Sequence, residues 1–181
     1  ESYIAESSAK IAKNRTTWLV ICLITATMTG FIIKRYESLL AQAVALTAYI
    51  PMLMDSGGNA GSQASTTIMT QLYSGELSAK DFMKVIFKEV RVGTLVSLVL
   101  VAINFVRILF VDNVSLAVNL TVSLTLFLTI VISNIVGGLL PLLADKINVD
   151  PTVMAGPLIT TIVDTGVLLI YFEVASLLLG L

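Results

Sequence analysis

The chain has 181 residues, of which 56% are hydrophobic and 13% charged, with a mean hydropathy of +0.94 and a net charge of -1. That composition excludes a water-soluble globule and describes an integral membrane protein about one domain in size; it gives no reason to expect a nucleic-acid partner. One cysteine, Cys22, and no histidine leave no disulfide and almost no soft ligand set, so zinc, copper and haem are excluded and any metal handled here is a hard cation held by oxygen.

Residues 1–15 are polar, with Ile4, Ser8, Ile11 and Ala12 on one helical face. They are expected to be the end of a cytoplasmic linking helix that leads in from a soluble domain outside this sequence. Residues 16–181 then carry apolar runs at 16–33, 39–70, 93–111, 116–143 and 153–179. A bilayer core of about 30 Å needs about 20 residues of helix, so the expected fold is an all-α integral membrane domain of five transmembrane helices. The breaks are Lys34-Arg35-Tyr36-Glu37, the polar stretch from Ser74 to Arg91, Asp112-Asn113, and Asp145 to Pro151. Within the long polar stretch, Phe82, Val85, Ile86 and Glu89 recur at i, i+3, i+4 and i+7 and predict a separate amphipathic helix.

Five crossings put the termini on opposite sides. Lys10, Lys13, Arg15, Lys80, Lys84, Lys88, Arg91 and Lys146 fall on one side and Lys34, Arg35 and Arg107 on the other, so the basic residues predict a cytoplasmic N-terminus and an external C-terminus in a plasma (inner) membrane. An odd number of helices argues against an internal inverted repeat. A homodimer with its twofold axis along the membrane normal would instead bring two copies of each polar face together across one pathway.

The second run holds the densest polar group, Pro51 followed by Asp55-Ser56-Gly57-Gly58-Asn59-Ala60-Gly61-Ser62-Gln63. Adjacent glycines after a proline predict a broken or thinned helix, which at membrane depth must face protein or water. Asn59, Gln63, Thr66, Thr67 and Thr70 share one face and offer carbonyl, amide and hydroxyl groups suited to a hydrated hard cation. Gly57, Gly58 and Gly61 also suit close helix packing, with Asn59 and Gln63 as interhelical glue.

In the fifth run Thr160, Thr161 and Asp164 form an i, i+1, i+4 cluster one turn after Pro157, where the ring frees a carbonyl and kinks the helix. A carboxylate at a helix centre costs about 2.5 to 3.5 kcal/mol on the lenient insertion scale, so an intramembrane acid is a functional site by default. No Lys or Arg follows Lys146, and the counter-charge of an ionised Asp164 must come from another helix, another subunit or a bound cation. Asp55 and Glu89 are further acids of interest. Asp150, just before Pro151, suits a helix N-cap as well as a ligand.

Pro51 with Gly57-Gly58-Asn59-Ala60-Gly61-Ser62-Gln63 resembles the P-x5-G-G-N-x-G-x-Q signature in the membrane domain of the MgtE family of bacterial magnesium transporters, related to the animal solute carrier 41 family. Asp150-Pro151, Pro157, Asp164 and Gly166-Val167-Leu168-Leu169-Ile170-Tyr171 are similar to that family's fifth helix. The resemblance implies a homodimeric magnesium channel with its pore at the twofold axis, a central ion site formed by Asp164 from both subunits, and Asn59 lining the path. Thr160 and Thr161 join that site as metal candidates, while Gly57, Gly58, Gly61, Gln63 and Pro157 line or pack the pore. It further implies that Asp150 and Glu89 lie near the cytoplasmic mouth, where relatives bind regulatory magnesium against soluble N-terminal domains; Asp55 is a third candidate on this side. Gly156 stands where some relatives have a polar residue. Magnesium is the expected cargo, and manganese, cobalt and calcium are the other ions an oxygen site of this kind takes.

The competing reading is a proton- or sodium-coupled divalent cation exporter that uses Asp164 as its coupling site. An enzyme is not expected, because aspartyl chemistry needs two coupled carboxylates and only Asp164 is central.

Overall fold

A computed structural model describes residues 2–181, and no strand occurs among them. The helices are α1 (Ser8–Arg35), the short α2 (Glu37–Gln42), α3 (Ile50–Tyr73), α4 (Phe82–Val111), α5 (Leu116–Lys146) and α6 (Pro151–Leu179), with a 3-10 segment at Val44–Tyr49. Four stretches among the described residues are long and apolar enough to cross a membrane: α1, Ala79–Val111, α5 and α6. Helix α3, with 24 residues and a length of about 36 Å, has the reach but is too polar to count with them.

Two expected boundaries differ from the sequence reading. The run 39–70 is not one helix: α2 ends at Gln42, Ala43 leaves the helical region with a φ of -131°, and a 3-10 segment intervenes before α3. Pro51 explains the interruption. It occupies the first turn of α3, cannot donate an N–H, and would drive its ring into the carbonyl four residues back if an α-helix continued upstream. The preceding turn therefore tightens, and the Ile50 N–H closes on the Thr47 carbonyl. Past Pro51 the glycines do not break the helix, which runs unbroken through Gly57 and Gly58 to Tyr73. Likewise the amphipathic segment around Phe82–Glu89 and the crossing at 93–111 form one unbroken helix, α4.

Helix α5 is the centre of the domain and packs against α3, α4 and α6, whereas α1 lies outside, against α6, and buries no residue. Small residues set the spacing. A Cβ at Gly137 would lie 2.1 Å from the Gly61 carbonyl oxygen, so α3 and α5 touch backbone to backbone. Gly138 admits Glu89 of α4 in the same way, at 3.1 Å from its Cγ. The core beside this seam comprises Leu53, Ile130, Ile159, Val163, Leu168, Tyr171 and Phe172.

The ends of α1, α4 and α6 meet the starts of α3 and α5 at one end of the bundle. There the Tyr171 hydroxyl donates to the Leu46 carbonyl at 2.7 Å, the Tyr36 ring packs on Phe172 at 5.0 Å, and the Tyr49 hydroxyl donates to Asp112 Oδ2 at 2.7 Å. Arg107 Nη1 pairs with the same carboxylate at 3.0 Å. These bonds hold the 3-10 segment in place and fix where α3 begins. Asn113 and Asn148 turn the chain out of α4 and α5 with φ of 46° and 58°, the left-handed conformation that asparagine tolerates better than most side chains.

Candidate ion-binding cleft

Helices α3 and α6 run antiparallel past each other at Gly61–Ile159 and Gly57–Val163, where an added Cβ would lie 2.7 and 2.6 Å from the facing side chain. Beside this contact opens a cleft of about 480 Å³. Pro51, Asp55, Gly58, Asn59 and Ser62 line it from α3, at i, i+4, i+7, i+8 and i+11, and Thr160 and Asp164 line it from α6, at i and i+4. The periodicity of each helix thus delivers one polar face to the same place. Asp164 lies at the midpoint of α6.

Ser62 also borders a second hydrophilic depression, lined by Gln63, Thr66, Thr67, Thr70 and Gln71. From Asp55 to Gln71 the oxygen- and amide-bearing side chains therefore form one stripe down α3, about 24 Å long at helical rise. Asp55, Asn59, Ser62, Gln63, Thr66, Thr67 and Thr70 are all exposed in the single protomer. The Thr67 and Thr70 hydroxyls satisfy themselves on the carbonyls of Gln63 and Thr66, at 3.0 and 2.9 Å, and their oxygen lone pairs remain available.

The sequence pattern of the family described as "MgtE: Divalent cation transporter" matches residues 50–174, which contain the whole cleft. The chain belongs to the MgtE family. It is 38% identical to the magnesium transporter MgtE of Thermus thermophilus over 91% of its length, 32% identical to that of Enterococcus faecalis over 96%, and 35% identical to that of Bacillus subtilis over 91%. The chain spans little more than a third of these relatives, 36%, 38% and 36% of their respective lengths. The MgtE family is one of transporters, not of enzymes.

Within this MgtE domain the candidate residues divide. Asp164, Thr160, Asn59, Asp55 and Gly58 share the cleft. Thr161 does not: its hydroxyl faces α1 and lies 3.5 Å from Thr25 Oγ1, because consecutive helical residues point about 100° apart. Gly57 and Gly61 are packing residues, the first against Val163 and Thr129 and the second against Ile159 and the Ser133 backbone. Gly58 meets nothing within 4 Å, so of the lining and packing roles open to it the structure places it in the first: it opens onto the cleft. Pro157 is partly buried within an unbroken α6 and does not line the cleft. Gln63 belongs to the second depression.

The remaining acids lie elsewhere. Asp150 caps α6, its Oδ1 accepting from the Thr152 N–H at 2.9 Å and the Thr152 hydroxyl at 2.7 Å. Glu89 is 7% exposed and lines a separate cavity between α3, α4 and α5. Ser62 is the lining residue that sequence reasoning passed over, although its position three residues after Asn59 and four before Thr66 places it on the same stripe.

Proposed function

We propose that the chain is the ion-conducting part of a magnesium transporter, in which two copies face each other across a twofold axis and a partly hydrated magnesium ion passes between their α3 and α6 helices. The observation that carries this reading is the polar stripe from Asp55 to Gln71, which continues from the Asp164 cleft and is exposed in one protomer. At membrane depth such a surface cannot face lipid without a large cost in unsatisfied polar groups. A second copy turns it into a water-filled path. On this reading α3 is the fifth crossing, polar because it lines the path, and α1 and α6 run in the same direction, so that the N-terminus is cytoplasmic and the C-terminus external. The soluble regulatory domains of the family are then the partners of the N-terminal end.

Two Asp164 carboxylates balance one divalent cation, and Asn59, Thr160 and Ser62 supply neutral oxygens that hydrogen-bond its retained water. Magnesium sheds water reluctantly, so outer-sphere contacts select it without the cost of stripping its shell. Asp55 stands at about the level of Asp164, because the Gly57–Val163 and Gly61–Ile159 contacts of the antiparallel pair bring position 164 opposite position 56, and it adds a further acidic group to the same cleft. The match to the Thermus, Enterococcus and Bacillus magnesium transporters favours magnesium among divalent ions.

The test is magnesium flux into proteoliposomes. Asp164→Asn abolishes flux while the protein remains folded and dimeric by size-exclusion chromatography. Flux that survives the substitution sinks the reading, and flux that follows an imposed proton or sodium gradient at fixed voltage replaces it with the coupled carrier.

A further inference from the structure

A cavity of about 600 Å³ opens between the C-terminal half of α3 and the N-terminal half of α4, on the far side of the polar stripe from the Asp164 cleft. Its α4 wall repeats every fourth residue as Lys84, Lys88, Val92 and Val96, with Arg91 beside Lys88. One wall therefore changes from cationic to apolar along a single helix. The cationic end coincides with the start of α4, and the apolar end points into the stretch of α4 long enough to cross a bilayer. The facing side is mixed: Ile68 and Leu77 are apolar, while Gln63, Thr67 and Gln71 of the polar stripe also line it.

The charges are arranged for an outside partner. Lys84 is held by Asp81 at 3.2 Å, but no ion pair engages Lys88 or Arg91 among the described residues, and both are exposed. Arg91 donates Nε to the Phe87 carbonyl at 3.2 Å, and its terminal nitrogens make no hydrogen bond among the described residues. The one carboxylate of the cavity, Glu89, is turned toward α5, where its Cγ abuts Gly138.

We propose that this groove is a seat for an anionic phospholipid, whose phosphate lies between Lys88 and Arg91 and whose first acyl carbons lie along Val92 and Val96. Basic pockets between spanning helices suit acidic headgroups, Arg matches phosphate oxygens with a planar fork, and the adjoining valines exclude a simple inorganic anion as the best-fitting occupant. The inference needs only that α4 lies in a bilayer, and it stands or falls apart from magnesium transport because its readout is retained lipid.

The purified chain is reconstituted in phosphatidylcholine vesicles containing phosphatidylglycerol, extracted in mild detergent, and its retained lipid counted by native mass spectrometry. The expected result is preferential retention of phosphatidylglycerol, reduced about thirtyfold in the Lys88→Gln/Arg91→Gln double variant by loss of two headgroup-level charges. Val96→Trp fills the apolar end and lowers retention with every charge intact, while Lys34→Gln/Arg35→Gln, at the opposite end of the bundle, leaves it unchanged. Equal retention of both lipids overturns the proposal, as does a control variant that loses as much as the groove variant. Displacement by inorganic phosphate with no effect of Val96→Trp identifies a plain anion site instead. Cross-linking of Val96→Cys between two copies, without retained lipid, assigns the groove to an interface between subunits.

Discussion

Gly137→Ala is the sharpest test of how α3 is held. Its new Cβ would lie 2.1 Å from the Gly61 carbonyl oxygen, 2.7 Å from its carbonyl carbon and 2.8 Å from its Cα, and all three are backbone atoms that no rotamer change can move. An ordinary contact needs about 3.4 Å or more between such atoms, so α3 and α5 must separate by about 1 Å. Overpacking of this kind costs about 1–3 kcal/mol, and the loss spreads to the neighbouring Gly57–Val163 and Gly61–Ile159 contacts that fix α3 against α6. At about 2–4 °C per kcal/mol for a chain of this size, the melting temperature in detergent falls by roughly 2–12 °C. Gly58→Ala is the matched control, because nothing lies within 4 Å of its Cβ position and Ala is the better helix former. Gly137→Ala melting within about 1 °C of the parent, or Gly58→Ala losing as much, refutes the argument that backbone contact at Gly61 sets the α3–α5 spacing.

Other perturbations separate residues that sequence alone grouped together. Thr160→Val lowers magnesium flux by removing a cleft oxygen, whereas Thr161→Val changes flux little, because its hydroxyl faces Thr25 of α1; equal losses in the flux assay would contradict that division. Asp55→Asn lowers magnesium flux, as expected of a carboxylate at the level of Asp164 in the same cleft, and unchanged flux in the same assay would remove Asp55 from the site. Asp150→Ala costs about 1 kcal/mol of stability through loss of the α6 cap, while Asp150→Ser restores it without a carboxylate. At Tyr49, burial first and the hydrogen bond to Asp112 second push the phenol up to about 12. The fold therefore favours the protonated phenol, and its contribution is complete below pH 10 and lost as pH rises from 10 through 12. Tyr49→Phe removes this alkaline loss and costs about 1–2 kcal/mol at neutral pH, both read from thermal unfolding across pH.

Much of the helical framework was legible because long apolar runs need little context: α5 and α6 begin and end within three residues of their expected spans, whereas α1 begins at Ser8 because the polar linking helix and the first crossing are one helix. The exceptions have local causes. Pro51 looked like a break inside a helix, but a proline is better accommodated in a first turn than in an interior, and the chain resolves the conflict by starting α3 there and tightening the six residues before it into a 3-10 segment. The polar stretch before residue 93 looked like a separate element because Lys88, Glu89 and Arg91 interrupt the hydropathy. Backbone hydrogen bonding does not stop at a change of side-chain polarity, so α4 runs through them.

The cleft was legible where spacing fixes a helical face, and not where residues are only neighbours in sequence. Spacing identifies a face on each helix, and Asn59, Thr160 and Asp164 share the cleft; Asp55 joins them there, although sequence reasoning sets it apart as a cytoplasmic-side candidate. Adjacency carries no such information: Gly57 and Gly58 are neighbours in sequence, yet a rotation of about 100° sends one against Val163 and Thr129 and leaves the other facing the cleft. Thr160 and Thr161 divide in the same way. Small residues and oxygen donors thus alternate around α3 as two interleaved surfaces, one pressed against α5 and α6 and the other open, and on the proposed reading the open one faces the ion. A substitution on the closed surface moves the helix, and a substitution on the open surface changes only what the ion meets. Gly58→Ala is thus the discriminating change for the path itself. It adds one methyl beside Asn59 with no packing penalty, so a fall in magnesium flux at unchanged melting temperature locates the ion within reach of that methyl, and unchanged flux places the path farther from α3 than the twofold arrangement allows.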